Sequence, residues 1–162
     1  MECGTIVVGV DDSPQARAAV HWAAEQARLT GCALHGVHVL DWPRGDDLFG
    51  YVVVADQVLP SSADLDDCHR RPSEEVFAEV HPDPGWRLTF AQGHPGQVLV
   101  DVARDARMLV LGACEHTGVM RLLNGSTGHY CLNHTVCPVV AVPCATSRRG
   151  RDRRPATAAG GR

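Results

Sequence analysis

Two short stretches of this chain combine residue types able to grip an anionic ligand. The first is Asp11-Asp12-Ser13, two carboxylates and a hydroxyl directly after an apolar run. The second runs from Gly112 to Thr127 and holds Gly112, Gly118 and Gly125, followed by the hydroxyls of Ser126 and Thr127. Glycines let backbone N–H groups approach an anion closely, and a helix N-terminus adds positive partial charge. Arg121 adds a full positive charge within the second stretch. Together these residues would make a phosphate cradle. The plainer reading stands beside it: the glycines permit turns, and Ser126 caps a helix. Neither familiar phosphate fingerprint is present. No G-x-G-x-x-G follows the first apolar run, and a chain without any lysine has no G-x-x-x-x-G-K-[ST]. No general base stands beside an activated nucleophile, so Asp11, Asp12 and Glu115 read as ligand or metal contacts. An enzyme, such as an ATPase, therefore ranks behind a binding protein.

Positioning those residues is the work of regular elements. The continuous run Thr5-Ile6-Val7-Val8-Gly9-Val10 predicts a strand buried on both faces, as in a parallel sheet. Ser13 is a natural N-cap and Pro14 falls where its missing N–H costs nothing. Ala16, Ala19, Val20, Ala23, Ala24 and Ala27 then recur at helical spacing, and Gly31 supplies a left-handed cap. Residues 33–40 read as a second buried strand, completing one βαβ unit. Residues 43–60 carry no assignable pattern. A helix is expected from Ser61 to about Val80, kinked or restarted at Pro72. After the turn Pro82-Asp83-Pro84-Gly85, residues 86–90 alternate with period two, as an edge strand would. A helix carrying Val98, Leu99, Val102 and Ala103 is expected to end near Arg107, before a buried strand from Met108 to Leu111. A helix capped by Ser126-Thr127 and a last strand, Val139 to Val142, complete the pattern. Such alternation calls for an α/β fold, one open, mostly parallel sheet covered by helices on both faces. Ligands of such sheets bind outside the carboxyl ends of strands, where the strand order reverses.

Composition narrows the function. With 162 residues, 44% hydrophobic and 21% charged, the chain can bury one core of its own. Its longest apolar runs fall far short of the ~20 residues a membrane span needs. No basic region and apolar stretch precede the first strand, so the expected location is cytoplasmic. The net charge of −4 conceals an asymmetry. Residues 148–162 hold six Arg and one Asp, whereas residues 1–147 hold nine Arg against 18 acids. An acidic body argues against nucleic acid as a partner. The Arg-rich segment reads as a disordered tail to a domain spanning 1–147. The seven cysteines show no C-x-x-C spacing and are expected to be mostly reduced, buried thiols. The nine scattered histidines carry no metal-site spacing.

The motifs V-V-G-V-D-D-S-P, H-V-L-D-W-P, G-H-P and L-V-L-G…L-L-N-G-S…C-P-V-V-A-V-P resemble the universal stress protein (UspA-type) family over roughly residues 4–144. The resemblance implies a Rossmann-like, five-stranded parallel sheet of order 3-2-1-4-5. It implies dimers formed through the last strand, and in one branch ATP held by a G-2x-G-9x-G-[S/T] loop. Residue by residue, Gly112 matches the first Gly, and Gly125 and Ser126 the final Gly and hydroxyl. Asp11 matches the acidic residue near ribose and phosphates, and Val39 the position beside the adenine. Glu115 occupies the second Gly position and departs from the pattern. It puts a carboxylate where backbone should meet phosphate, unless His116 or Arg121 neutralises it or Mg²⁺ bridges it to the ligand.

Two readings follow. One is a cytosolic module that binds adenine nucleotide, ATP, and serves regulation or sensing in stress response. The other is a nucleotide-free member acting as a dimeric interaction module. Both carry a homodimer through Val139–Val142, since an apolar strand at a sheet edge invites pairing with another chain. The monomeric alternative has the Arg-rich tail covering that edge.

Overall fold

A computed structural model of the chain describes residues 4–40, 62–113 and 126–144, with side chains in the second stretch from residue 70 onward. The elements are β1 (Thr5–Gly9), α1 (Pro14–Thr30), β2 (Ala33–Leu40), α2 (Ser62–Ala78), β3 (Arg87–Gln92), α3 (Pro95–Val102), β4 (Met108–Ala113), α4 (Ser126–His134) and β5 (Val139–Pro143). The five strands form one sheet of order β3-β2-β1-β4-β5, and every neighbouring pair is parallel. The expected order 3-2-1-4-5 is the observed one.

Apolar residues on successive strand positions point to opposite faces, so β1 and β4 must be covered twice. On one face Ile6, Val8, Leu34 and Val110 pack against α1 and α2 through Ala19, Val20, Ala23, Ala24, Val76 and Phe77. On the other, Val7, Val37, Leu109 and Leu111 pack against Leu99 of α3, Ala103 just after it and Cys131 of α4. All six predicted positions of α1 are buried. Ser13 Oγ accepts from the Ala16 N–H at 3.1 Å, closing the N-cap. At the other end Gly31 sits at φ 69°, and Cys32 N–H returns to the Ala27 carbonyl at 2.9 Å.

Three expectations need correction. Pro72 does not restart α2, which runs continuously from Ser62 to Ala78. An interior proline costs about 3 kcal/mol. The burial of Ser73, Val76, Phe77 and Val80 just beyond it offsets that cost. Helix α3 stops at Val102, not near Arg107. Its last turn tightens into an Arg104 N–H bond to the Asp101 carbonyl, and Arg107 N–H is already paired with Thr5 of β1. Cys32 is an exception to the expectation of mostly reduced thiols: it is disulfide-bonded. Spacing along the chain does not show which sulfurs meet in the fold. Cys131, Cys137 and Cys144 are free.

Candidate functional site

Strand order reverses between β1 and β4: the chain winds from β1 to β2 and β3 on one side, then returns to add β4 and β5 on the other. The carboxyl ends of β1 and β4 therefore flank the place where such sheets take ligands. Both motif stretches leave the sheet there.

At the β1 exit, Val10 is buried while Asp11 and Asp12 are exposed. Asp11 Oδ1 accepts from the Ser13 N–H at 2.7 Å, forming an Asx turn that presents Ser13 to α1. At the β4 exit, Gly112 lies against the same first turn of α1. A Cβ at Gly112 would come within 2.8 Å of the Ala16 nitrogen and 2.6 Å of the Gln15 carbonyl oxygen. The two exits thus meet at the Ala16 amide, capped by Ser13 from one side and approached by Gly112 from the other. Gly112 has a packing reason to be glycine that sequence reading did not separate from a ligand reason.

Ser126 and Thr127 are the first residues of α4, on the opposite face of the sheet from α1, with Ser126 exposed and Thr127 partly so. The start of α4 is tied to α3 by close packing. A Cβ on Gly96 would stand 2.7 Å from Tyr130 Cβ, and Cys131 Sγ approaches the Gly96 carbonyl at 3.7 Å. Burial, with Cys137 nearby as the lesser cause, pushes the Cys131 thiol up to about 11. That sulfur is a packing group, not a nucleophile. Val39 is half-buried on the α3 side of β2, beside Val37 and paired in register with Ala91. Glu115, Arg121 and Gly125 lie outside the described residues, as do residues 43–60 and the Arg-rich segment 148–162.

Asp11 and Asp12 follow the carboxyl end of β1, Val39 lies near the carboxyl end of β2, and Ser126 and Thr127 open α4. The carboxylates suit a ribose hydroxyl or a metal ion better than a bare phosphate. Among the described residues no cluster of three His, Cys, Asp or Glu side chains could hold a metal ion unaided. No helix among them is long and apolar enough to cross a membrane.

Two histidines of β2, His35 and the His38 that opens the H-V-L-D-W-P motif, are given no role at the site by sequence reading. His35 Nε2 lies 2.9 Å from Thr89 Oγ1, and its Nδ1 is 3.3 Å from Arg87. His38 Nδ1 lies 2.9 Å from the Val10 carbonyl oxygen and 2.8 Å from Ser73 Oγ. The only trace of either in the sequence is a histidine inside a run of otherwise apolar strand residues.

A model of the Universal stress protein family matches residues 3–143. The chain is 31% identical over 142 residues to a universal stress protein of Mycobacterium tuberculosis (strain ATCC 25618 / H37Rv), covering 85% of this chain and 46% of that protein. It spans about half the length of the curated relatives it matches. In three dimensions it is similar to the universal stress protein UspA from Lactobacillus plantarum, with TM-score 0.62, 22% identity, and 88% of this chain and 99% of that one covered. It is also similar to the universal stress protein from Archaeoglobus fulgidus in complex with dAMP, with TM-score 0.58, 22% identity, and 88% and 99% covered. The sheet order, the two motif exits at its switch point and the match across nearly the whole of the described chain agree, and the chain belongs to the universal stress protein family.

Proposed function

We propose that this chain binds an adenine nucleotide, ATP, across the carboxyl ends of β1 and β4 and acts as a cytoplasmic regulatory or sensing module. The observation that carries the reading is the meeting of the two motif exits at the Ala16 amide, beside the point where strand order reverses. The Archaeoglobus fulgidus relative, solved with dAMP, supports an adenine ligand. In this reading Asp11 takes the ribose, Val39 lies beside the base, and Gly125, Ser126 and Thr127 take phosphates at the start of α4. Asp12 and Glu115 add negative charge near those phosphates, so Mg²⁺ is the fitting counter-ion, with Arg121 the nearest cation in sequence.

The test is thermal unfolding with millimolar ATP and Mg²⁺. A ligand at 100 times its dissociation constant adds about 2.7 kcal/mol, and the melting temperature should rise accordingly. Replacing Gly125 with a bulky residue should remove the rise.

Glu115 favours a second reading, a family member without nucleotide that works as a dimeric interaction module. In either reading the homodimer forms through β5. That strand is a sheet edge, Val139–Val142 are only partly buried, and Val136, three residues before it in the chain, is 80% exposed.

A further inference from the structure

His38 lies in neither anion-gripping stretch, yet it is 8% exposed and sits where β1 leaves the sheet. A carbonyl oxygen can only accept, so the 2.9 Å contact with the Val10 carbonyl requires the ring proton on Nδ1. That N–H is shared with Ser73 Oγ at 2.8 Å, from a serine that is itself 1% exposed on α2. Nε2 then carries a bare lone pair, buried and, among the described residues, without a hydrogen-bond partner. An under-used acceptor is the more tolerable of the two buried defects, which favours the same tautomer. The ring is fixed further by Phe90, whose centroid lies 5.7 Å away at 57°.

The bond falls at a junction. The register of β1 on β2 ends at Gly9↔Val37, and one residue on, Val10 N–H still donates to the Val37 carbonyl at 2.9 Å. The Val10 carbonyl turns instead to the His38 ring. The next residue, Asp11, opens the Asx turn that ends in the Ser13 cap. The last peptide before the turn is therefore held by a side chain anchored in β2 and α2.

We infer that His38 is a positioning residue for the nucleotide site: by clamping the Val10 carbonyl from behind, it sets the Asp11–Ser13 turn in its binding geometry. This rests on the nucleotide reading above. Because His38 is buried on the α2 side of β2, it acts only through the backbone it holds.

The test compares His38→Asn, whose amide N–H can reach the Nδ1 position, with His38→Leu, which keeps bulk and loses the donor. Loss of the bond should weaken ATP binding about tenfold in His38→Leu and leave His38→Asn within about threefold of wild type. Exchange of the Ser13 amide, read without nucleotide, should be about tenfold faster in His38→Leu and unchanged in His38→Asn. Should His38→Leu fail to fold, His38→Gln, whose amide lies one methylene farther out and misses the Nδ1 position, takes its place and should speed Ser13 exchange in the same direction. The ¹⁵N spectrum of wild-type His38 should show the proton on Nδ1. A proton on Nε2, or unchanged ATP affinity and Ser13 exchange in His38→Leu, overturns the inference. If wild type itself binds no ATP, the nucleotide reading falls, and Ser13 exchange alone decides the clamp.

Discussion

Gly112 of β4 lies so close to Gln15 of α1 that a Cβ at 112 would stand 2.5 Å from the Gln15 carbonyl carbon. Backbone cannot yield as a flexible side chain can. Gly112→Ala should therefore cost about 1–3 kcal/mol as the first turn of α1 is pushed from the sheet. Denaturant unfolding measures it, and a midpoint equal to wild type would refute the packing. Loss of ligand binding in this variant would reflect displacement of α1, so the phosphate cradle is better probed at Gly125.

The ring of His35 reports on burial. Burial first, and the Arg87 guanidinium second, hold its pKa below the ordinary 6.5. As pH falls through 6.5 the unfolded chain takes up a proton that the folded chain still refuses. Stability from this group is thus full above 6.5 and declines below it, until the folded ring also protonates. His35→Gln should flatten the fall in urea midpoint as pH drops below 6.5. Parallel pH profiles for the two proteins would show that another group governs the decline.

Much of this was legible before the structure. Helix α1 could be read residue by residue because a helix on a sheet needs small apolar groups every three or four positions, and Ser13, Pro14 and Gly31 mark its ends. The strand order followed from family resemblance, since periodicity alone does not say which strands are neighbours. What escaped depended on tertiary contact. Proline chemistry at Pro72 predicts a kink or a restart, and the burial of Val76 and Phe77 beyond it explains why the helix does not restart. The end of α3 is set by the pairing of Arg107 with Thr5, a contact with no local signature. A glycine held open by a neighbouring helix, as at Gly112, looks in sequence like one kept for a ligand. Of the cradle, the exits of β1 and β4 and the start of α4 are placed, while Glu115, Arg121 and Gly125 fall outside the described residues.

Glu115 should oppose phosphate binding. At an effective dielectric near 20, two like charges ~5 Å apart repel by about 3 kcal/mol. Glu115→Gly should then tighten ATP binding about tenfold or more, as calorimetry would show. A weaker complex would instead make Glu115 a ligand of Mg²⁺ or ribose.

The edge strand β5 is the predicted dimer seam. Val140 and Val142 lie in its middle, and Val136, 80% exposed, stands three residues before it in the chain. Val142→Asp should convert dimer to monomer while unfolding stays cooperative. Sedimentation at micromolar concentration settles it, and a wild type with the mass of one chain at every concentration would remove the seam.

The claim on which the account turns is that this fold holds an adenine nucleotide. Native mass spectrometry of the undenatured protein, with ATP and Mg²⁺ added, reads it most directly. The account predicts one ATP per chain, lost when Gly125 is replaced by a bulky residue. A spectrum of protein alone at millimolar ATP, from a sample shown to be folded, would contradict it and leave the nucleotide-free interaction module as the function.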